Sequence, residues 1–405
     1  MTSWLGECVA VGFVMVLGSL ASGAGVGGGA LYIPLFIILL SPQKLAIPLS
    51  KACAFGASVA MYVVNSRRRR PKADGTGHKP LIDYRMAVLL EPFTLLGTML
   101  GVRLNKLLPF PIVATMMAVI MTMISMKTFH RAFALHRQEI AIAKANADEE
   151  TETTSKCIDV AEEPSDCAEA SSGQSGPPPN QDDPQFPKVP LIMMLVYWTL
   201  GVAPSILVSG QYGLVRCMST GYYVIMLGSM MLLLTVAGVN AVLEIRRSAR
   251  IDQALLAKDA DNVHWTFKSV TYFSSVSFGA GVFSALVGVG GSTIKGPFLT
   301  HITAPDIASS TAGFMLLSTC SASMFQFMLL DMLDFHSAAA FLVAGFVAAY
   351  FGSRVWAYIV KAWDKRSIIV FLLASYVSLA TVAMSILSVY EIYYTPSLTD
   401  VDSIC

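Results

Sequence analysis

Gly25-Val26-Gly27-Gly28-Gly29 lies in an apolar stretch near the start of the chain, and Gly288-Val289-Gly290-Gly291-Ser292 lies in another, 263 residues later. At the same offset Pro34 corresponds to Pro297 and Pro42 to Pro305. Gly101-Val102-Arg103 and Gly352-Ser353-Arg354 follow in the same order at an offset of 251. A longer basic loop in the first half, Arg67–Lys79, accounts for the 12-residue difference. Ordered matches of this kind read as an internal duplication.

The surroundings of these segments set the class. Of 405 residues 54% are hydrophobic and only 14% are charged, with a mean hydropathy of +0.60. Soluble domains carry about a quarter charged residues. The apolar residues fall in blocks at roughly 5–22, 26–40, 45–65, 86–104, 110–129, 190–210, 219–243, 270–287, 293–303, 308–330, 336–359 and 367–390. About 20 apolar residues cross the hydrocarbon core as a helix. The expected fold is an all-α polytopic membrane protein of two repeated helical halves, inverted with respect to one another, each with a glycine-rich broken helix. The two short blocks that follow the glycine clusters read as half-helices. Paired repeats with broken helices characterise secondary transporters.

The expected organisation is a first membrane repeat over 1–130, an acidic disordered linker over 131–189, connecting transmembrane helices over 190–243, a basic cytoplasmic loop over 244–269, a second membrane repeat over 270–392 and a tail over 393–405. The linker opens with a basic, helix-compatible stretch (Arg131, His136, Arg137). It then carries Glu162-Glu163 and Pro177-Pro178-Pro179, a composition too polar to bury a core. A cleaved signal peptide over the first block lacks its basic leader, since no Lys or Arg precedes Lys44.

Basic residues at membrane ends mark the cytoplasmic face. Arg67-Arg68-Arg69-Arg70 and the loops after Phe129 and Leu243 belong there, while Asp331 and Asp334 place the corresponding loop of the second half outside. With each glycine cluster counted as a break, both termini fall outside.

Few residues inside the blocks can do chemistry. Gly25, Gly27, Gly28 and Gly29, with Gly288, Gly290 and Gly291, cost helix stability. They serve either close helix packing or a broken helix whose N–H groups face a cavity and attract anions. Two matched clusters, each followed by a proline (Pro34, Pro297), favour the broken helix. Ser292, Thr293 and Lys295 follow the second cluster; the lysine could pair with an anion or snorkel to the interface. Ser50-Lys51 and Ser309-Ser310-Thr311 open helices, where capping explains them, and these residues could also donate to substrate oxygens. Glu91 is a membrane-embedded acid, a candidate proton carrier or partner of an arginine. Arg103 and Arg354 occupy equivalent positions near helix ends, where they snorkel or hold charge. Gln326 either lines a path or packs. The seven cysteines show no metal spacing.

The duplicated glycine signature with its prolines resembles that of the TauE/SafE family of membrane transporters. Leu49-Ser50-Lys51-Ala52-Cys53 and Leu81-Ile82-Asp83-Tyr84 resemble its eukaryotic branch, plant members included. The resemblance covers about 10–130 and 190–390. It implies transport, usually export, of sulfite, sulfoacetate or a related organosulfur anion. Two departures stand out: Ser292 replaces the glycine of the first cluster, and Glu91 stands where plant-like members would be expected to hold a neutral polar residue.

The expectation is therefore a secondary transporter, an exporter, of a small anion such as sulfite or an organosulfonate. The alternatives are a passive anion channel, or a membrane scaffold or sensor acting through the acidic linker. No Walker A sequence occurs, so direct ATP driving is not expected. A membrane serine hydrolase on Ser292 with His301 or His336 as base is disfavoured because the matching first-half residue is Gly29, and no metalloprotease motif occurs. No enzymatic activity and no cofactor are therefore expected. The expected partners are the lipid bilayer, the anion and a second copy of the chain, with no nucleic acid. The plasma membrane is the expected location, an organelle membrane the alternative.

Overall fold

The computed structural model describes residues 4–23, 25–39, 45–72, 77–159, 183–208, 219–250, 265–363 and 367–394. Pro42, the central part of the expected linker (160–182), most of the basic loop (251–264) and the tail from 395 lie outside the described residues.

Among the described residues twelve helices and one small hairpin follow in order. The first half holds α1 (Trp4–Gly23), α2 (Gly29–Leu39), α3 (Ala46–Asn65), β1 (Arg69–Pro71), β2 (His78–Pro80), α4 (Tyr84–Leu107) and α5 (Phe110–Asp159). Then come α6 (Lys188–Val208), α7 (Thr220–Arg250), α8 (Phe267–Val287), α9 (Gly291–Leu299), α10 (Pro305–Leu329), α11 (Phe335–Trp363) and α12 (Ser367–Tyr394). Among the described residues nine helices are long and apolar enough to cross a bilayer, and the chain is an integral, multi-pass membrane protein.

Local chemistry sets the helix ends. Asp83 caps α4 by accepting from the Arg85 and Met86 N–H groups, each at 3.1 Å. Thr266 caps α8 through the Ser269 N–H. Pro305 opens α10, where its missing donor costs nothing. Gly288 ends α8 at φ +80°, a left-handed conformation that a side chain resists.

Two departures from the sequence reading concern loops. The basic Arg67–Lys79 loop folds as a hairpin, with Arg69 opposite Pro80, Arg70 opposite Lys79 and Pro71 opposite His78. The basic start of the linker is helical, as its composition allows, but the helix continues into the acidic part expected to be disordered: α5 has 50 residues and runs to Asp159. At 1.5 Å per residue it is about 75 Å long, so after crossing the membrane over Pro111–Ala134 it projects beyond it.

Packing gives the chain directions. The hairpin holds the segment before α6 through a Lys72–Asp183 ion pair at 3.0 Å and hydrogen bonds from Gln185 to the Ser66 carbonyl and from Arg69 to Gln185. The ends of α3 and the starts of α4 and α6 therefore share the hairpin face. Helices α4 and α8 run parallel and close. A Cβ on Gly97 would strike the Phe278 carbonyl, one on Gly101 would strike Val282, and Asn105 donates to the Leu286 carbonyl. Parallel α1 and α11 meet at Gly18 with Ala348, at Ser19 and Ser22 with Gly352, and at Gly23 with Trp356. Helices α3 and α10 pair antiparallel, Met61 against Gly313 and Ala54 beside Leu316.

Two helical hairpins result. Helix α2 folds back on α1, with Tyr32 against Gly18; helix α9 folds back on α8, with Gly291 against Ser284. The α1–α2 pair enters from the face opposite the β-hairpin, and the α8–α9 pair enters from the β-hairpin face.

Candidate functional site

The turns of the two helical hairpins meet inside the protein. Gly25 (φ +72°) and Gly28 (φ +81°) carry the chain from α1 to α2 through left-handed backbone. Gly25 abuts Ser309, Gly27 sits between Leu316 and Ala54, and Gly28 lies against Tyr32. A Cβ on Gly29 would lie 2.9 Å from the Gly288 carbonyl oxygen and 3.1 Å from the Gly290 nitrogen, so the two glycine segments touch. Helices α2 and α9 begin at this meeting, as the short apolar blocks predict. Close packing and a helix break are thus both present at the same glycines.

Helix α9 starts at Gly291 without a side-chain cap. The Thr293 N–H bonds back to the Gly290 carbonyl at 2.9 Å, which leaves the Gly291 and Ser292 N–H groups and the partial positive charge of the helix start. Ser292 and Thr293 in that turn are fully buried, and neither hydroxyl has a hydrogen-bond partner. Ser292 Oγ turns back over the turn, 3.7 Å from where a Cβ on Gly290 would stand. At α2 the corresponding place is occupied, since the Ala30 N–H donates to Tyr376 Oη at 3.1 Å.

Lys51, which the sequence reading placed with Ser50 at a helix start, as a capping pair or as donors to substrate oxygens, lies at the centre of this meeting. It is fully buried. Its ammonium donates to Ser284 Oγ at 2.9 Å and to the Val289 carbonyl at 3.0 Å, directly on the second glycine segment. No carboxylate among the described residues pairs with it. Ser50 Oγ donates to the Ile47 carbonyl at 2.7 Å and approaches the Gly288 carbonyl at 3.2 Å.

The second buried cation has a partner. Lys295 lies 3.0 Å from Glu91 Oε2 and 3.2 Å from Thr94 Oγ1, while Thr319 Oγ1 donates to Glu91 Oε1 at 2.6 Å. Lys295 is 1% exposed, which excludes snorkelling, and the partner of Glu91 is this lysine, not an arginine. Lys295 and Thr319 both reach Gly291, so the ion pair adjoins the α9 N-terminus. Among the described residues the buried Lys, Arg, Asp and Glu side chains around this meeting are Lys51, Lys295 and Glu91, two basic and one acidic.

The remaining candidates stand elsewhere. Pro34 and Pro297 are buried inside α2 and α9, beyond the first turn of each. Thr311 Oγ1 accepts the Asp83 N–H at 3.0 Å near the β-hairpin face. Arg103 bonds the Met99 carbonyl at 2.7 Å and Tyr222 Oη at 3.3 Å, joining α4 to α7. Arg354 lies exposed, its guanidinium 4.4 Å from the Tyr350 ring centroid. Gln326 donates to the Gly201 carbonyl at 3.2 Å. Sequence reasoning missed Ser284, Thr94 and Thr319; serine and threonine in apolar helices are common, and only the fold shows which ones face a charge.

Comparison with known proteins agrees with this architecture. Residues 9–161 match the family model described as Sulfite exporter TauE/SafE. That span includes the first glycine segment, Lys51 and Glu91. Sulfite exporter TauE/SafE family protein 2 of Arabidopsis thaliana is 27% identical over 384 residues, covering 91% of this chain and 80% of the relative. Family protein 3 of the same plant is 27% identical over 369 residues, covering 89% and 74%. Family protein 1 is 26% identical over 381 residues, covering 93% and 82%. No solved structure matches the chain at a significant level.

Proposed function

We propose that the chain, whose residues 9–161 match the TauE/SafE family model and which is 27% identical to a plant member of that family over 91% of its length, is a secondary transporter that exports a small oxyanion, sulfite or an organosulfonate. The anion binds where the two glycine segments meet, between Lys51 and the first turn of α9. The observation that carries this reading is Lys51 itself. A buried ammonium without a carboxylate is costly, and an anion beside it offsets that cost. The α9 N–H groups and the free hydroxyls of Ser292 and Thr293 supply the hydrogen bonds an oxyanion lacks after leaving water. Gly28, Gly29 and Gly290 keep side chains out of the space, and Ser50 holds the second turn in place.

We take a carrier over a passive channel because Gly29 packs directly on the Gly288–Gly290 turn, so the two glycine segments leave no open pore between them. We take the two halves as one inverted duplication, since the hairpins α1–α2 and α8–α9 enter from opposite faces. Alternating access then consists of one half rocking against the other around the shared contact. The β-hairpin face, with Arg67 to Arg70, is the cytoplasmic one, and the plasma membrane is the site of action.

The test is uptake of labelled sulfite into proteoliposomes, with sulfate, sulfoacetate and taurine as competitors and with an imposed pH gradient. Saturable uptake inhibited by sulfoacetate supports the proposal. Folded protein that moves none of these anions contradicts it.

A further inference from the structure

Apart from the glycine contact, the β-hairpin face holds a cavity of about 480 Å³ between the ends of α1, α3 and α11 and the start of α10. Arg68, Lys361, Ser353, Ser309, Trp356 and Asp306 line it. We infer that this cavity is an entry vestibule that binds the oxyanion before it reaches the central site, with Arg68 and Lys361 as its charged receptors. The inference rests on the carrier reading and adds a second binding place to it.

Four observations support it. First, the wall has two cations and one carboxylate, so it favours anions, and a concave surface of one net sign concentrates the opposite ion. Second, Arg68 is set in place by its backbone. Its N–H donates to the Asn65 carbonyl at 3.0 Å, and its carbonyl accepts the Leu81 N–H at 3.0 Å. Its side chain therefore springs from a fixed point at the junction of α3 and the hairpin, with the guanidinium 3.5 Å from Asn65 Oδ1. Third, Ser353 is 7% exposed, and its hydroxyl has no hydrogen-bond partner although it lines the cavity. A buried hydroxyl of that kind is a donor without an acceptor, which an anion provides.

Fourth, the cavity leads to the glycine contact. Ser309, in its wall, presses directly on Gly25, the first residue of the glycine segment that ends against Gly288 and Gly290. Trp356 closes the same floor by packing on Gly23 while its Nε1 donates to the Ser19 carbonyl at 3.1 Å. One layer of residues therefore separates the vestibule from the turn that opens α2. An anion held by Arg68 and Lys361 waits behind that layer until the α1–α2 hairpin shifts relative to α10 and α11.

The experiment uses the full chain, reconstituted in one orientation in neutral phosphatidylcholine. Ala357→Cys and, as a second variant, Tyr358→Cys are labelled with a membrane-impermeant maleimide from each face in turn. Labelling from the β-hairpin face, slowed by sulfoacetate, is expected. The protection should vanish in the Arg68→Gln/Lys361→Gln double variant. In flux assays that double variant should raise the apparent KM for sulfoacetate roughly tenfold and leave the maximal rate within about twofold, whereas Arg85→Gln, an exposed cation on the same face, changes neither. Labelling only from the other face overturns the inference, as does protection indifferent to Arg68 and Lys361. Protection that appears only after phosphatidylglycerol is added, with no effect of sulfoacetate, also overturns it and assigns the cavity to a lipid headgroup. A wild-type protein that carries no anion defeats the carrier reading alone, because labelling and its protection still report whether the cavity takes an anion.

Discussion

Lys295 on α9 and Glu91 on α4 form an ion pair of 3.0 Å that is sealed from solvent on both sides. They are 204 residues apart in sequence. The pair, braced by Thr94 and Thr319, ties the half-helix at the glycine contact to the long helices α4 and α10.

Removing one member of this pair strands a charge. Lys295→Met and Glu91→Gln should each destabilise the detergent-solubilised protein by about 3–5 kcal/mol, and the double variant should recover most of that loss. Thermal unfolding of the four proteins in a double-mutant cycle measures it. Additive losses would mean that the two residues do not act as a pair.

Lys51 behaves differently, because no carboxylate among the described residues depends on it. Lys51→Met should leave the melting temperature unchanged or raise it, since an uncompensated buried cation is gone. Anion flux should fall at least tenfold, which corresponds to about 1.4 kcal/mol. A strong loss of stability with flux intact would place Lys51 in the scaffold instead.

Glycines at the contact should be intolerant where others are not. Gly29→Ala puts a methyl group 2.9 Å from the Gly288 carbonyl and must push the two segments apart. Flux should be lost while the protein still folds. Gly228→Ala, in α7, meets nothing within 4 Å and should gain roughly 0.5–1 kcal/mol from helix propensity with flux unchanged.

Outside the membrane, Asp334 caps α11 by accepting the Ser337 N–H at 2.9 Å. That hydrogen bond holds its carboxyl below the ordinary value. Because the folded form is the more acidic one, its contribution to stability is present above the unfolded pKa and is lost as pH falls through the folded pKa. Melting curves of Asp334→Asn should therefore converge on those of the wild type on the acid side and fall below them at neutral pH.

Much of this architecture is legible in the sequence. Apolar block length predicts the spanning helices, and the glycine clusters with their short following blocks predict α2 and α9. Lys51 was harder to place because it opens an apolar block, where a serine and a lysine look like a cap and an interfacial charge. Its burial depends on α8 and the second glycine turn closing over it, which no local pattern encodes. Glu91 and Lys295 are each conspicuous alone, yet their pairing requires the parallel packing of α4 on α8 and the fold-back of α9. Arg103 and Arg354 show the reverse limit: the sequence reading matches their positions, yet their partners differ, Tyr222 for one and the Tyr350 ring for the other.

The most direct measurement compares wild type and Lys51→Met for sulfite flux in proteoliposomes, with and without sulfite preloaded inside. The account predicts saturable uptake by the wild type that accelerates when the lumen is preloaded, and no such uptake by Lys51→Met of equal folded content. Equal flux by the two proteins would contradict a central anion site built on Lys51 and the glycine contact.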